Sequence, residues 1–169
     1  MSSKNIILIG SNNSGKSTIA NELYLQGYHY FKLSPLPDPD NHYHSLAITT
    51  RGSRVVFDRW SVVDLYIYRG YTGMLNKILE NPKKFNQNNL VIYLKQKIDE
   101  TYDYKQYDGT KRSVERPNLE ELKKIERRYQ TTVDLLKSSG INILTVGSRD
   151  GVVNIIKTIK QKLEESENE

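Results

Sequence analysis

The stretch Ile6-Ile7-Leu8-Ile9-Gly10-Ser11-Asn12-Asn13-Ser14-Gly15-Lys16-Ser17-Thr18 constrains this chain more than any other. Four consecutive aliphatic residues read as a buried strand, and they stop at Gly10. Gly15, Lys16 and Ser17 complete the pattern G-x-x-x-x-G-K-S/T, a loop that cradles phosphate. The chemistry explains the residue types. Backbone N–H groups all point inward only where glycine lets the chain turn and lets phosphate come close. The helix expected behind the loop aims its N-terminal N–H groups and dipole at the same anion. Gly10, Ser11, Asn12, Asn13, Ser14, Gly15, Lys16, Ser17 and Thr18 are therefore the expected triphosphate-binding set. Lys16 would reach the β- and γ-phosphates, and the Ser17 hydroxyl would sit on Mg²⁺.

Helix and strand signals then alternate. Residues 16–26 read as helix, with Ile19, Ala20 and Leu23 on one face and Gly27 as its stop. Residues 28–33 read as a second strand. Three prolines make residues 34–40 a loop, and weak periodicity allows a short helix over 41–51. Val55, Val56 and Phe57 carry a third strand over residues 53–57, closed by Asp58. Helices are expected over 61–70 and 72–80, where Asn81-Pro82 breaks the pattern. Residues 90–94 form a fourth strand and 97–104 a further helix. Residues 104–117 are polar, without periodicity, and read as a mobile loop.

Asn118 with Glu121 forms a capping-box pattern. Leu122, Ile125, Tyr129, Val133 and Leu136 make one apolar stripe down the helix behind it, so Tyr129 reads as core. Residues 141–146 are a fifth strand and 151–163 a last helix, with 164–169 fraying beyond it. Three of the five strands are short apolar runs, the mark of strands covered on both faces. The expectation is an α/β fold with a parallel central sheet. Ligands bind at the carboxyl ends of such strands, which puts residues 10–17 and Asp58 on one edge.

Composition narrows the class. The 169 residues suit one domain, spanning 1–163, with an acidic tail. With 27% charged and 37% hydrophobic residues, a soluble globular protein is expected. No stretch approaches the ~20 apolar residues that span a bilayer, so no membrane partner is expected. The first strand begins too early to leave room for a signal peptide. The absence of cysteine excludes disulfides and thiolate metal sites, and it fits a reducing cytoplasm. The net charge is +5; without the four glutamates of residues 164–169 it is 25 bases against 16 acids, or +9. Such a body suits nucleotides or nucleic acid, although solvated surface lysines account for it equally.

A second constellation, Asp58-Arg59-Trp60, ends the third strand. An acid there can hold the Mg²⁺ side of a phosphate site, and Arg59 offers a bidentate fork. The plainer alternative is an acid capping the next helix and an arginine paired at the surface. Together with residues 10–17, V-V-F-D-R-W and the aromatic-rich helix after it resemble the thymidylate kinase and deoxynucleoside kinase group. Thymidylate kinases carry D-R-Y or D-R-F here and deoxynucleoside kinases E-R-S, so Asp58-Arg59-Trp60 stands closer to the former. Tyr68-Arg69-Gly70 resembles their Tyr-Gln-Gly, with the spacing shifted by one. The chain departs from thymidylate kinases in having Ser11-Asn12-Asn13-Ser14 where they usually carry an acid. It also has Lys32-Leu33-Ser34-Pro35 where they have E-P-G. It is short for the group, which suits a phage or viral member. The resemblance implies a P-loop NTPase three-layer sandwich. Its five-stranded parallel sheet would have the order 2-3-1-4-5, with helices on both faces and a lid.

The lid would be residues 104–117. Arg112 and Arg116 stand about one helical turn apart within it. In this group such arginines stabilise charge on the transferring phosphoryl group, and the closed lid excludes water. The implied reaction is in-line transfer of the γ-phosphoryl of ATP, with Mg²⁺, to a deoxynucleoside monophosphate. Lys16, Asp58, Arg59, Arg112 and Arg116 would be catalytic, and Ser17 and Asp58 would hold the metal. Asp58, Arg59, Trp60, Tyr66, Tyr68 and Arg69 would meet the acceptor, the aromatic rings by stacking. Asp58 has two jobs open. A nucleoside hydroxyl needs a base. A monophosphate, with a second pKa of ~6, is already largely dianionic and needs only positioning. Arg51, Arg54, Arg59 and Arg69 favour the phosphorylated acceptor.

A deoxynucleoside kinase and a polynucleotide or modified-base DNA kinase remain as alternatives; nucleic acid is compatible with the basic body but not favoured. From another class, a P-loop module binding nucleotide without catalysis would need neither D-R-W nor a lid. The oligomeric state is open, a homodimer included.

Overall fold

Residues 6–9 differ in direction rather than polarity, and that alternation builds the molecule in three layers. The computed structural model of the chain describes residues 2–33, 47–100, 102 and 118–167. Strand β1 (Asn5–Ile9) leads into α1 (Lys16–Leu25), β2 (His29–Lys32) and β3 (Val55–Asp58). Helices α2 (Ser61–Arg69), α3 (Gly73–Leu79) and α4 (Pro82–Asn88) precede β4 (Asn89–Lys95). Helix α5 (Leu119–Ser138), β5 (Ile143–Gly147) and α6 (Val152–Glu167) complete the order. The five strands pair in parallel as β2-β3-β1-β4-β5, the order expected, with β1 central.

Successive side chains of a strand face opposite ways. Ile7 and Ile9 pack with Phe57, Val91 and Tyr93 against Val63, Ile67, Phe85, Tyr129 and Val133 of α2, α4 and α5. Ile6 and Leu8 pack with Val56, Ile92 and Leu94 against Ile19, Leu23, Ile155 and Ile159 of α1 and α6. Helices thus cover both faces. Each fully buried isoleucine contributes about 1.5–3 kcal/mol.

The amino ends of the strands are closed by two amides in register, Asn5 and Asn89. Asn5 Nδ2 donates to Asn89 Oδ1 at 3.1 Å and to Arg51 O at 2.9 Å. Asn5 Oδ1 accepts the N–H groups of Ser53 at 3.2 Å and Val55 at 3.1 Å. Asn89 Nδ2 donates to Thr49 O at 2.8 Å and Phe85 O at 2.9 Å.

The capping box at α5 forms as its sequence announces: Asn118 accepts the Glu121 N–H at 2.9 Å, and the Glu121 carboxylate accepts the Asn118 N–H at 3.3 Å. Helix α6 runs past residue 163 to Glu167, where the Ser166 hydroxyl donates to Leu163 O at 2.8 Å. Two expectations need correction. No helix occupies the described part of 97–104. A single turn stands there instead, closed by the Tyr102 N–H on Asp99 O at 3.0 Å and anchored by buried Tyr102. Conversely, Pro82 starts a helix as well as stopping one. Asn81 accepts the Lys84 N–H at 3.1 Å and Pro82 takes the first turn, where its missing N–H is harmless. The expected loop 34–40, most of the expected helix 41–51 and the expected lid 104–117 lie outside the described residues. No described helix is long and apolar enough to cross a membrane.

Candidate active site

Strand β1 hands the chain to the loop at Gly10, where an added Cβ would stand 2.8 Å from both Leu94 O and Ser14 Oγ. Only glycine tolerates that approach. Gly15, the N-cap of α1, takes φ 91°, a left-handed conformation that glycine adopts without a Cβ penalty. Inside the loop lies Lys16, 6% exposed. Its Nζ donates to Gly10 O at 2.7 Å, Ser11 O at 2.8 Å and Ser14 Oγ at 3.2 Å. Burial, and after it the Arg59 charge, lowers the Lys16 pKa to about 8, against the opposing pull of the Asp64, Asp58 and Glu126 carboxylates.

Parallel pairing brings the ends of β1, β2 and β3 level: Asp58 stands in register with Leu8 and with Lys32. Buried Asp58 accepts two hydroxyl hydrogen bonds on one oxygen. Ser17 Oγ and Tyr30 Oη both donate to Oδ2, each at 2.6 Å. Tyr30 was not among the expected site residues. Burial, and its bond to Asp58, push its pKa up to about 12. The Ser17 hydroxyl and Asp58 carboxylate are hard oxygen donors held together, a set that suits Mg²⁺, which takes few protein ligands and completes its shell with water and phosphate. Among the described residues no group of three or more His, Cys, Asp or Glu could hold a metal alone.

Arg59 stands at φ 92°, a conformation that costs a non-glycine residue about 1–3 kcal/mol. Its N–H bonds Leu8 O at 3.2 Å. Nη2 donates to Asn12 Oδ1 at 2.7 Å, and Nη1 lies 3.8 Å from Asp64 Oδ2. The other Asp64 oxygen accepts the Tyr129 hydroxyl at 2.9 Å. Burial, then Asp64, raises the Tyr129 pKa well above its ordinary value. Arg59 therefore spans the loop and α2, and Asp64 continues the link to α5.

A second unanticipated group is Glu126 of α5, buried beneath the loop. Its Oε2 accepts the Ser11 hydroxyl at 2.7 Å; its Oε1 accepts the Tyr93 hydroxyl and, at 3.0 Å, the Gln96 N–H. Gln96 Nε2 donates to Ser11 Oγ and to Asn12 O, each at 2.7 Å. The sequence held one signal for this. Glu126 lies four residues after Leu122 and three before Tyr129, an acid on the apolar stripe.

Of the expected acceptor residues, Asp58 and Arg59 stand together at the loop, and the aromatic ones are spread more widely. Trp60 is 2% exposed and stacks on Phe85, ring centroids 5.4 Å apart, so it is a core residue rather than an open stacking surface. Tyr66 lines a separate cavity between α2 and α5. Tyr68 is exposed and meets Tyr129 edge-on, and Arg69 is exposed at the end of α2. Thr18 is an exposed residue of α1. The structure brings together residues 10–17, Asp58 and Arg59. Arg112 and Arg116 lie outside the described residues.

No family model matches the chain, and no curated protein matches it by sequence. Solved structures match it by fold. The YorR protein of Bacillus subtilis, in complex with phosphorylated GDP, aligns with a TM-score of 0.73 at 17% identity. That match covers 98% of this chain and 99% of that one. A deoxyadenosine kinase from M. mycoides with bound dATP aligns with a TM-score of 0.61 at 17% identity, covering 95% and 99%. The same enzyme with bound dCTP gives 0.59 at 18% identity over the same shares. The chain shares its fold with these solved structures. Strand β1 lies at the centre of a parallel sheet in the order 2-3-1-4-5.

Proposed function

We propose that this chain transfers the γ-phosphoryl group of ATP to a deoxynucleoside monophosphate, in the manner of a thymidylate kinase. The carrying observation is the placement of Asp58, held through one oxygen by the Ser17 and Tyr30 hydroxyls. That grip keeps the carboxylate against the phosphate loop, where an acid positions a metal and its phosphates. A monophosphate acceptor, largely dianionic at neutral pH, asks for no base. The transition state is loose, so the chain's task is positioning and charge stabilisation.

Lys16 exchanges the Gly10 and Ser11 carbonyls for the β- and γ-phosphates when a triphosphate enters the loop. The loop N–H groups and the N-terminus of α1 hold the same phosphates. Ser17 and Asp58 would hold Mg²⁺, which when bound supplies charge neutralisation at the phosphate oxygens. Arg59, already at the loop through Asn12, holds the acceptor phosphate. Arg112 and Arg116 are assigned by resemblance to a lid that excludes water.

One observation favours a second reading, a deoxynucleoside kinase. Asp58 Oδ1 has no hydrogen-bond partner among the described residues, which leaves it as an acceptor for a sugar hydroxyl. The fold likeness to deoxyadenosine kinase agrees with it. Initial rates with ATP and Mg²⁺ against dTMP and the other deoxynucleoside monophosphates, thymidine, deoxyadenosine and a DNA oligomer separate the readings. A monophosphate should lead in kcat/KM by about tenfold or more. Transfer to nucleosides alone gives the second reading, transfer to the oligomer alone a polynucleotide kinase, and transfer to nothing a binding module.

A further inference from the structure

The cavity between α2 and α5 takes no part in the chemistry above. It measures about 440 Å³, a size typical of small-molecule sites. Tyr66 and Ile67 form one wall; Lys124, Arg127, Arg128 and Thr131 form the other. The four α5 positions recur at three- and four-residue spacing, so they make one stripe down the helix. Among the described residues no carboxylate lines the cavity. Elsewhere on α5, several polar side chains have partners. Lys123 pairs with Glu120 at 3.5 Å, and Gln130 donates to Asp134 at 3.0 Å. The side chains of Lys124, Arg127 and Arg128 have no ion-pair or hydrogen-bond partner among the described residues. Glu120 stands one turn before Lys124 on the same face, but it is paired with Lys123. Three cations are left gathered around the cavity.

We propose that this groove binds a phosphate ester, at a site separate from the phosphate loop. Two guanidinium forks and an ammonium match phosphate oxygens. The Thr131 hydroxyl adds a donor, and the Tyr66 ring offers a face to a base. The ester comes either from a free nucleotide or from the backbone of a single-stranded nucleic acid, and its recognition does not depend on which acceptor the active site takes.

The test is titration of the full chain with ATP, dTMP and a fluorescent single-stranded oligodeoxynucleotide. The proteins are wild type, Arg127→Ala/Arg128→Ala, Lys123→Ala and Lys16→Ala. The paired substitution should weaken one ligand by about tenfold or more. Lys123→Ala should leave that ligand near its wild-type affinity, and Lys16→Ala should spare the binding event that the paired substitution removes. If the oligomer is the ligand, the salt dependence of its binding should flatten by about one to two ions, since each backbone phosphate contact releases ~0.7. If a nucleotide is the ligand, a second binding event should vanish from the titration. Circular dichroism checks that the paired variant folds, as expected for exposed side chains. Wild-type affinity of the paired variant for all three ligands overturns the proposal. So does loss of that same binding event in Lys123→Ala, which would mark general charge, or in Lys16→Ala, which would mark the phosphate loop.

Discussion

Polar side chains seal both ends of the sheet, by opposite means. At the amino ends, Asn5 and Asn89 are neutral, and their amides meet one another and the backbone of residues 49–55 and 85. At the carboxyl ends the buried groups are charged: Lys16, Asp58 and Glu126 are 6%, 1% and 7% exposed. A buried neutral amide with its partners in place holds structure at little risk. Buried charges demand desolvation, and they are worth keeping where a charged ligand will use them. Along one strand axis the molecule therefore sets neutral amides at one end and buried charges at the other.

That contrast can be broken most sharply at Lys16. Lys16→Met should lower phosphoryl transfer by about 10³-fold or more in a radiolabelled assay. Its urea midpoint should hold or rise, because an apolar chain replaces a buried ammonium. Transfer near the wild-type rate would erase the distinction between the ends. At the other end, Asn5→Ala orphans the Ser53 and Val55 N–H groups and should cost about 2–4 kcal/mol in urea unfolding. The folded fraction should keep its wild-type kcat; a lost kcat would mean that the amide lock also acts. Glu126→Gln tests whether the charge beneath the loop shapes the site. The amide cannot accept from all three present donors, and the slipped loop should slow transfer by roughly tenfold with a shifted KM for ATP.

The smallest effect is a pH profile of stability. Folded Lys16 releases its proton near 8, against an ordinary 10.5, so within that window the unfolded chain binds more protons and stability rises with pH. Tyr30, moved from 10 to about 12, works in reverse: the unfolded chain deprotonates first, and stability falls above about 10. Urea midpoints should climb above about pH 8 and turn down beyond about pH 10, and Lys16→Met should lose the climb.

Half of this contrast was readable before any coordinates. The phosphate loop declares itself because its contacts are local: Lys16 bonds residues no more than six positions away. Asp58 was legible because an acid closing an apolar strand has a fixed address in a parallel sheet. The partners that tune these groups were not, since they arrive across the chain. Tyr30 comes from 28 residues before Asp58, and Glu126 lies 115 beyond Ser11. Trp60 was misplaced for a related reason. Its stacking partner Phe85 sits on α4, a helix hidden by reading Pro82 only as a breaker. Tyr66 lines the cavity between α2 and α5 because helical phase, rather than composition, decides which way an aromatic side chain faces.

The central position of β1 also sets a schedule for synthesis. Asn5 waits 84 residues for Asn89, and Ser11 waits longer still for Glu126. Contacts so far apart in sequence form late, after the loops between them have been closed. Until α5 has been made, residues 10–17 thus have no Glu126 beneath them.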